Sequence, residues 1–332
     1  MNKHKLLSLF FFFLIIINLC STSGKTTITR LTTKTLYVDD VAPPEWYDET
    51  HFKTIMEAIN SSDDGDTVFV YNGTYYENVT ITKSISLIGE NKYSTIIDGK
   101  NIVPEDYGEF GVSVIRIFQA DRITVSGFTI QNVTMNTPMV DAGFHIADNS
   151  HYDTISNNII RNIIDSGILL GGSDHIISEN TIINTGAGIW CKAQNSKITK
   201  NTITDGWTNG ILFWSANNNT VTQNNITKCV QGIVILESTN NLVKRNNISH
   251  NTEGVFLSLS KRNKFYENNF IESGYAGHVE FKGWSFFNKW RGNYWDNQII
   301  HGLPKVLFGR FGALPIPWFN FDWRPAKEPY EV

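Results

Sequence analysis

From about residue 140 to residue 280, apolar and polar positions alternate in short runs. Ile, Val, Leu or Phe fill every second place, and Thr, Ser, Lys or Asn fill the places between. A period of two belongs to strands, because successive side chains of an extended backbone point to opposite faces. The runs are rich in β-branched residues and broken by Gly, Asn, Asp and Ser, which are strand and turn signals. No run supports a ten-residue helix.

The alternation is itself periodic. Glycines fall at Gly143, Gly167, Gly188, Gly210, Gly232, Gly254 and Gly277, with gaps by subtraction of 24, 21, 22, 22, 22 and 23. The five middle glycines each precede an apolar triplet, such as Ile189-Trp190-Cys191 and Ile211-Leu212-Phe213. A second column runs Asn158, Asn180, Asn201, Asn224, Asn246 and Asn268, each with Ile or Phe two places on. Self-similarity at this length is the signature of a solenoid. Two or three short strands per turn, stacked about 4.8 Å apart, predict an all-β fold: a right-handed single-stranded parallel β-helix of about nine or ten coils. Asn suits the second column on two counts: it tolerates left-handed backbone angles at a bend, and stacked Asn amides can bond along the axis. A leucine-rich repeat has a similar period, but its Leu-x-x-Leu-x-Leu pattern is absent.

The ends differ from the middle. Lys3, His4 and Lys5 precede a 14-residue apolar run, Leu6 to Leu19, so residues 1–24 read as a signal peptide, with an uncleaved membrane anchor as the alternative. Residues 25–36 read as a flexible lead-in, 37–296 as the β-helix, and 297–332 as an aromatic and Pro-rich cap or tail, which could also meet a protein partner. Thr54-Ile55-Met56-Glu57 is a capping-box pattern opening a short helix through Asn60, a natural cover for the first coil.

Composition adds little. The 332-residue chain has net charge −4, so there is no nucleic-acid footprint. Cys191 and Cys229 are expected to be buried free thiols.

The register nominates candidate chemistry. The residue two places after each Gly faces outward, giving Arg116, His145, Leu169, Trp190, Leu212, Val234 and Phe256; the next outward column holds Lys192 and Trp214. This wall is unusually apolar and aromatic. Two long loops, about Gly99 to Gly111 and Ile130 to Gly143, border it, and long loops on a regular scaffold tend to be functional. The expected ligand is an extended extracellular polysaccharide bound by Trp190, Lys192, Trp207, Leu212, Trp214 and Tyr107. A catalytic version places Arg116 beside His145, with Asp141 or Asp106 near, so that His serves as acid or base and Arg neutralises a uronate. A non-catalytic surface or adhesion scaffold is the competing class. Cofactors are expected to be none, with copper (Met135, Met139, His145 and His151) and calcium left open. His175 and Asp174 read as turn residues on the polar wall.

The segments Thr54-Ile55-Met56-Glu57-Ala58-Ile59, Gly65-Asp66-Thr67-Val68-Phe69-Val70, Gly73-Thr74-Tyr75, Ile85-Ser86-Leu87-Ile88-Gly89 and Gly292-Asn293-Tyr294-Trp295 resemble pectin-lyase-like β-helix proteins, most closely the NosD-like branch with its periplasmic copper-binding namesake. The resemblance covers roughly residues 37 to 296. It implies a secreted protein, a polysaccharide lyase, hydrolase or epimerase if there is activity, or a copper-delivery accessory role. The polygalacturonase-like set is not assembled, since Gly277-His278-Val279 lacks the final Gly. The Asp-Pro-His-Asp signature of mannuronan epimerases is absent.

Overall fold

The computed structural model describes residues 33–101, 111–133, 140–273, 278–300, 302–311 and 316–332. The expected signal peptide (1–24), Asp106, Tyr107, Met135 and Met139 lie outside them. The chain winds into a right-handed parallel β-helix of about ten turns, with three parallel sheets running its length.

One sheet carries the Gly-led strands, among them Ser113–Ile117, Ala142–Ile146, Asn209–Trp214, Gln231–Leu236, Glu253–Ser258 and Val279–Lys282; it is called the groove sheet below. A second carries the Asn-x-Ile strands, such as Thr202–Thr204 and Asn225–Thr227. The third includes Thr35–Val38, Thr67–Val70 and Lys197–Thr199. In two coils the strands of the first two sheets run on without a break, as Ile159–Leu170 and Thr181–Cys191, although Asn162 and Asn184 keep left-handed angles at the corner (φ 58° and 55°); a register shift lies between Ile163 and Ser166.

Inward residues stack in columns. Ile189, Ile211, Ile233 and Val255 are fully buried in register, as are Ile182, Ile203, Ile226 and Ile248. Each such side chain contributes on the order of 1.5–3 kcal/mol by leaving water. The Gly column exists because nothing larger fits. A Cβ on Gly232 would lie 2.6 Å from the Gly254 carbonyl oxygen and 2.8 Å from Ile248 Cγ2.

The register corrects the last member of that column. Val255 pairs with Val279, so His278, not Gly277, stands where Gly254 stands one coil earlier. His278 is buried, and its Nε2 meets Asp296 Oδ1 at 2.7 Å.

The Asn column is a ladder. From Asn158 to Asn293, each side-chain Nδ2 donates to the Oδ1 of the Asn on the next coil at 2.9–3.2 Å. The same Oδ1 also accepts the preceding coil's Asn backbone N–H. The left-handed angles expected of these asparagines belong instead to the residue before each: Asn157, Glu179, Lys200, Gln223, Arg245, Glu267 and Gly292 all have φ between 54° and 70°. The Asn is selected for its buried amide rather than for its backbone, because an unpaired polar group there would be costly. A second ladder of Asn219, Asn241, Asn263 and Asn288 runs down the neighbouring turn. His175 is corrected by it. It is no surface turn residue but is buried at the head of this ladder, accepting Asp153 N–H at Nδ1 and meeting the Gly171 carbonyl through Nε2.

Both ends are covered. Ile55–Ser61 is helical, with Thr54 and Glu57 forming a complete capping box, and Glu77 accepts the Ile55 and Met56 amides. At the other end, strands Lys305–Phe311 and Ile316–Asp322 form an antiparallel hairpin, joined to the last coil at Lys282–Arg310 and Trp290–Asp322. Cys191 and Cys229 are free and buried. Among the described residues no helix is long and apolar enough to cross a membrane.

Candidate functional site

The groove sheet presents its outward column in unbroken register: Arg116, His145, Leu169, Trp190, Leu212, Val234, Phe256 and, beyond the expected set, Glu280. Leu169 and Val234 are nearly covered by their neighbours, so the wall between the larger side chains is apolar and smooth. The Trp190 and Trp214 rings lie 5.8 Å apart and within 8° of parallel. Lys192 holds its ammonium 5.6 Å from the Trp190 centroid, within cation–π range. Trp190 Nε1 is buried and has no acceptor among the described residues.

Two clefts meet along this wall. One, of about 500 Å³, is lined by Phe118, His145, Asp148, Leu169, Gly171 and Lys192, among others. The other, of about 400 Å³, lies between Trp190, Lys192, Trp214 and Ser215. Lys192 lines both. From the His145 coil to the Trp214 coil is three rungs, about 14 Å at the usual strand spacing. A third, polar cleft of about 310 Å³ holds Gln119, Asp121, Arg122 and His151, and shares Asn149 with the first.

His145 lines the first cleft and stands beside Arg116 in register. Its pKa falls to about 4, chiefly by burial and then by the neighbouring Arg116 guanidinium, with Asp148 pulling the other way. The imidazole is therefore neutral near pH 7, in the form that accepts a proton or hydrogen bond. Arg116 also lies against the Phe118 ring, 5.0 Å from its centroid.

The other expected site residues are dispersed. Asp141 is fully buried, and its Oδ1 accepts the Val112 N–H at 2.8 Å; it does not line the clefts described here. The carboxylate that lines the cleft with His145 is Asp148. Alternation does not nominate it, because the strand ends at Ile146, after which the pattern no longer forecasts which way a side chain faces. Leu212 sits in register between Trp190 and Val234. Trp207 is half exposed in a separate turn, donating to Asn184 Oδ1 at 2.9 Å, and does not join the Trp pair. Tyr107 falls outside the described residues.

An acidic group ends the wall. Glu253 is buried beside the Gly slot, and its Oε2 accepts from Gln231 Nε2. Burial, followed by the nearby Glu280 charge, lifts its pKa to about 7. Lys282 bridges to Glu280 at 3.2 Å and lies over the Phe256 ring.

Stacked coils and buried polar ladders define a right-handed parallel β-helix protein with an outward groove on one sheet. More narrowly, the chain belongs to the family described as periplasmic copper-binding protein (NosD), whose model matches residues 59–298. An uncharacterized protein of Bacillus subtilis (strain 168), YwoF, is 27% identical over 122 residues, which span 35% of this chain and 25% of that protein. Among solved structures, the fold is shared with XylC in complex with xylose (TM-score 0.57, 15% identity, 87% of this chain and 73% of that one). It is shared with pectate lyase Pel9A (0.55, 12%, 82% of each). It is also shared with the A-module of mannuronan C-5 epimerase AlgE6 from Azotobacter vinelandii (0.53, 14%, 72% and 80%). At these identities the likeness is one of fold.

Of the copper candidates, Met135 and Met139 lie outside the described residues. Among the described residues no three His, Cys, Asp or Glu side chains gather. The two thiols are driven up to about 12 and about 11, mainly by burial, and a protonated buried thiol is a poor soft-metal ligand.

Proposed function

We propose that this chain is exported through its first 24 residues and binds an extended extracellular polysaccharide along the groove sheet. The observation that carries this reading is the pair of parallel indole faces, Trp190 and Trp214, joined through Lys192 to the cleft around His145. Indole faces cover the apolar face of a sugar ring, while a few oriented polar groups fix its hydroxyls. A linear glycan suits a groove built on a repeating scaffold, because both present the same contacts at regular steps. Lys192, where the two clefts share a lining residue, gives the groove a cation, which favours an acidic chain. If bond breaking occurs, the neutral His145 is the base within reach and Arg116 the group that would neutralise a uronate carboxylate.

A glycan array on the purified protein tests this, with acidic and neutral chains side by side. Binding that disappears when both tryptophans are replaced by alanine supports the groove. No binding to any chain, with folding intact, would leave a non-catalytic scaffold as the better reading. Appearance of unsaturated uronate on incubation with a bound acidic glycan would add lyase chemistry.

A further inference from the structure

The hairpin over the last coil has two unlike faces. Leu307 is buried, and Gly309 lies so close on the Phe281 ring that no Cβ could be accommodated. The alternate residues point away from the solenoid: Val306, Phe308, Phe319 and Phe321 are 37%, 64%, 46% and 37% exposed, and Trp323 is 67% exposed. Val306 pairs with Phe321 and Phe308 with Phe319 across the ribbon, so these side chains form one surface. Phe308 meets Phe319 edge-on at 5.5 Å, and Phe321 meets Trp323 at 5.1 Å. Caps of solenoids ordinarily turn a polar face outward. The helix at the other end obeys that rule, exposing Glu57, Asn60 and Ser61.

We propose that the outer face of this hairpin is the interface of a two-fold dimer of this chain, formed end to end through the two C-terminal caps. At about 150–250 Å² per aromatic side chain, the open apolar surface comes to roughly 400–500 Å² per copy. Two copies facing each other would bury about 800–1,000 Å², near the lower bound for a specific interface before any rim is counted. A two-fold axis sets apolar ribbon against apolar ribbon and closes the assembly. Head-to-tail stacking would instead set this face against the polar helical cap. The flanking tail carries Arg324 and Lys327 against Glu328 and Glu331, a balance that gives no electrostatic pull toward anionic lipid. The proposal is independent of the glycan groove, which lies on the side of the solenoid.

Sedimentation of the full chain from about 1 to about 100 µM, where a micromolar Kd is visible, decides it. The wild type should shift from monomer to dimer across that range. Phe308→Glu should remain monomeric with an unchanged far-UV spectrum and melting temperature, and Phe308→Leu should keep the dimer. Should Phe308→Glu fail to fold, Phe319→Ser serves the same purpose. A wild type that stays monomeric throughout overturns the proposal, and so does a dimer that survives in the folded charged variant. A monomer that floats with vesicles of phosphatidylcholine and phosphatidylglycerol would assign the face to a membrane instead.

Discussion

Asp322 ends the ladder that Asn293 would otherwise leave open. Its Oδ2 accepts both the Asn293 backbone N–H and the Asn293 Nδ2, each at 2.9 Å. The same oxygen takes Trp295 Nε1 at 3.2 Å, and Oδ1 takes the Gly292 N–H at 3.0 Å. A fully buried carboxylate from the hairpin thus stands where the next coil's Asn would have been. Asp322→Ala leaves these donors without an acceptor and should cost about 3–5 kcal/mol. Asp322→Asn retains an acceptor oxygen and should cost about 1–2 kcal/mol. Urea titrations of the two variants measure this; an alanine variant within about 0.5 kcal/mol of wild type would show that the ladder needs no terminus.

The Trp pair should act as a binding feature and not as a structural one. Trp214 is 44% exposed, so Trp214→Ala should leave the melting temperature nearly unchanged. Its effect on glycan affinity should be about tenfold, or ~1.4 kcal/mol, with a similar loss for Trp190→Ala. Calorimetry on a glycan selected by the array reads both. Equal affinity of the double variant and wild type would remove the groove from consideration.

His145 should titrate near pH 4 and not near its ordinary 6.5. Its folded-state pKa is depressed, so the folded protein takes up this proton less readily than the unfolded chain does. The stability cost is absent above about pH 6.5, grows as pH falls through the window, and is complete below about 4. Imidazole proton shifts followed by NMR give the pKa directly. His145→Gln should flatten the stability profile between those limits; a midpoint above 6 in the wild type would contradict the buried placement beside Arg116.

Glu253 shifts the other way, up to about 7. The folded state holds this proton more tightly than the unfolded state, whose carboxyl titrates near 4.5. Its unfavourable contribution is therefore absent below about pH 4.5, enters as pH rises, and is full above about 7. Glu253→Gln keeps the shape and removes the charge. It should be more stable than wild type at pH 8 and equal to it at pH 4, as read by thermal melts at the two values. A variant less stable at pH 8 would mean that the ionised carboxylate is wanted there.

Most of the solenoid could be read from the residues, for a physical reason. Each coil repeats the same local problem, so Gly188, Ile189 and Asn201 announce the slots of their counterparts one turn away. The Thr54 capping box is equally local and was legible to within a residue. The outward Trp190 and His145 followed from alternation alone. Asp148 was missed because it lies beyond the strand end, and Asp141 was misjudged because its carboxylate turns to the Val112 amide. The His278 slot was missed because the last period is one residue longer than the glycine spacing suggests. Glu253 carried no local signal, since its burial depends on Gln231 one coil back and Glu280 one coil on.

The amino-acid order by itself determined the period, the strand faces, the capping helix and the wall on which aromatic side chains gather, because these depend on neighbours a few residues away and on a pattern repeated many times. Only the tertiary structure decided which groups share a cleft, which residues before the asparagines bend, that a second Asn ladder runs down the neighbouring turn, how Asp322 closes the stack, and which face of the hairpin is left bare. Those properties arise between coils some twenty residues or more apart, where a single register step or a strand end sets which atoms meet.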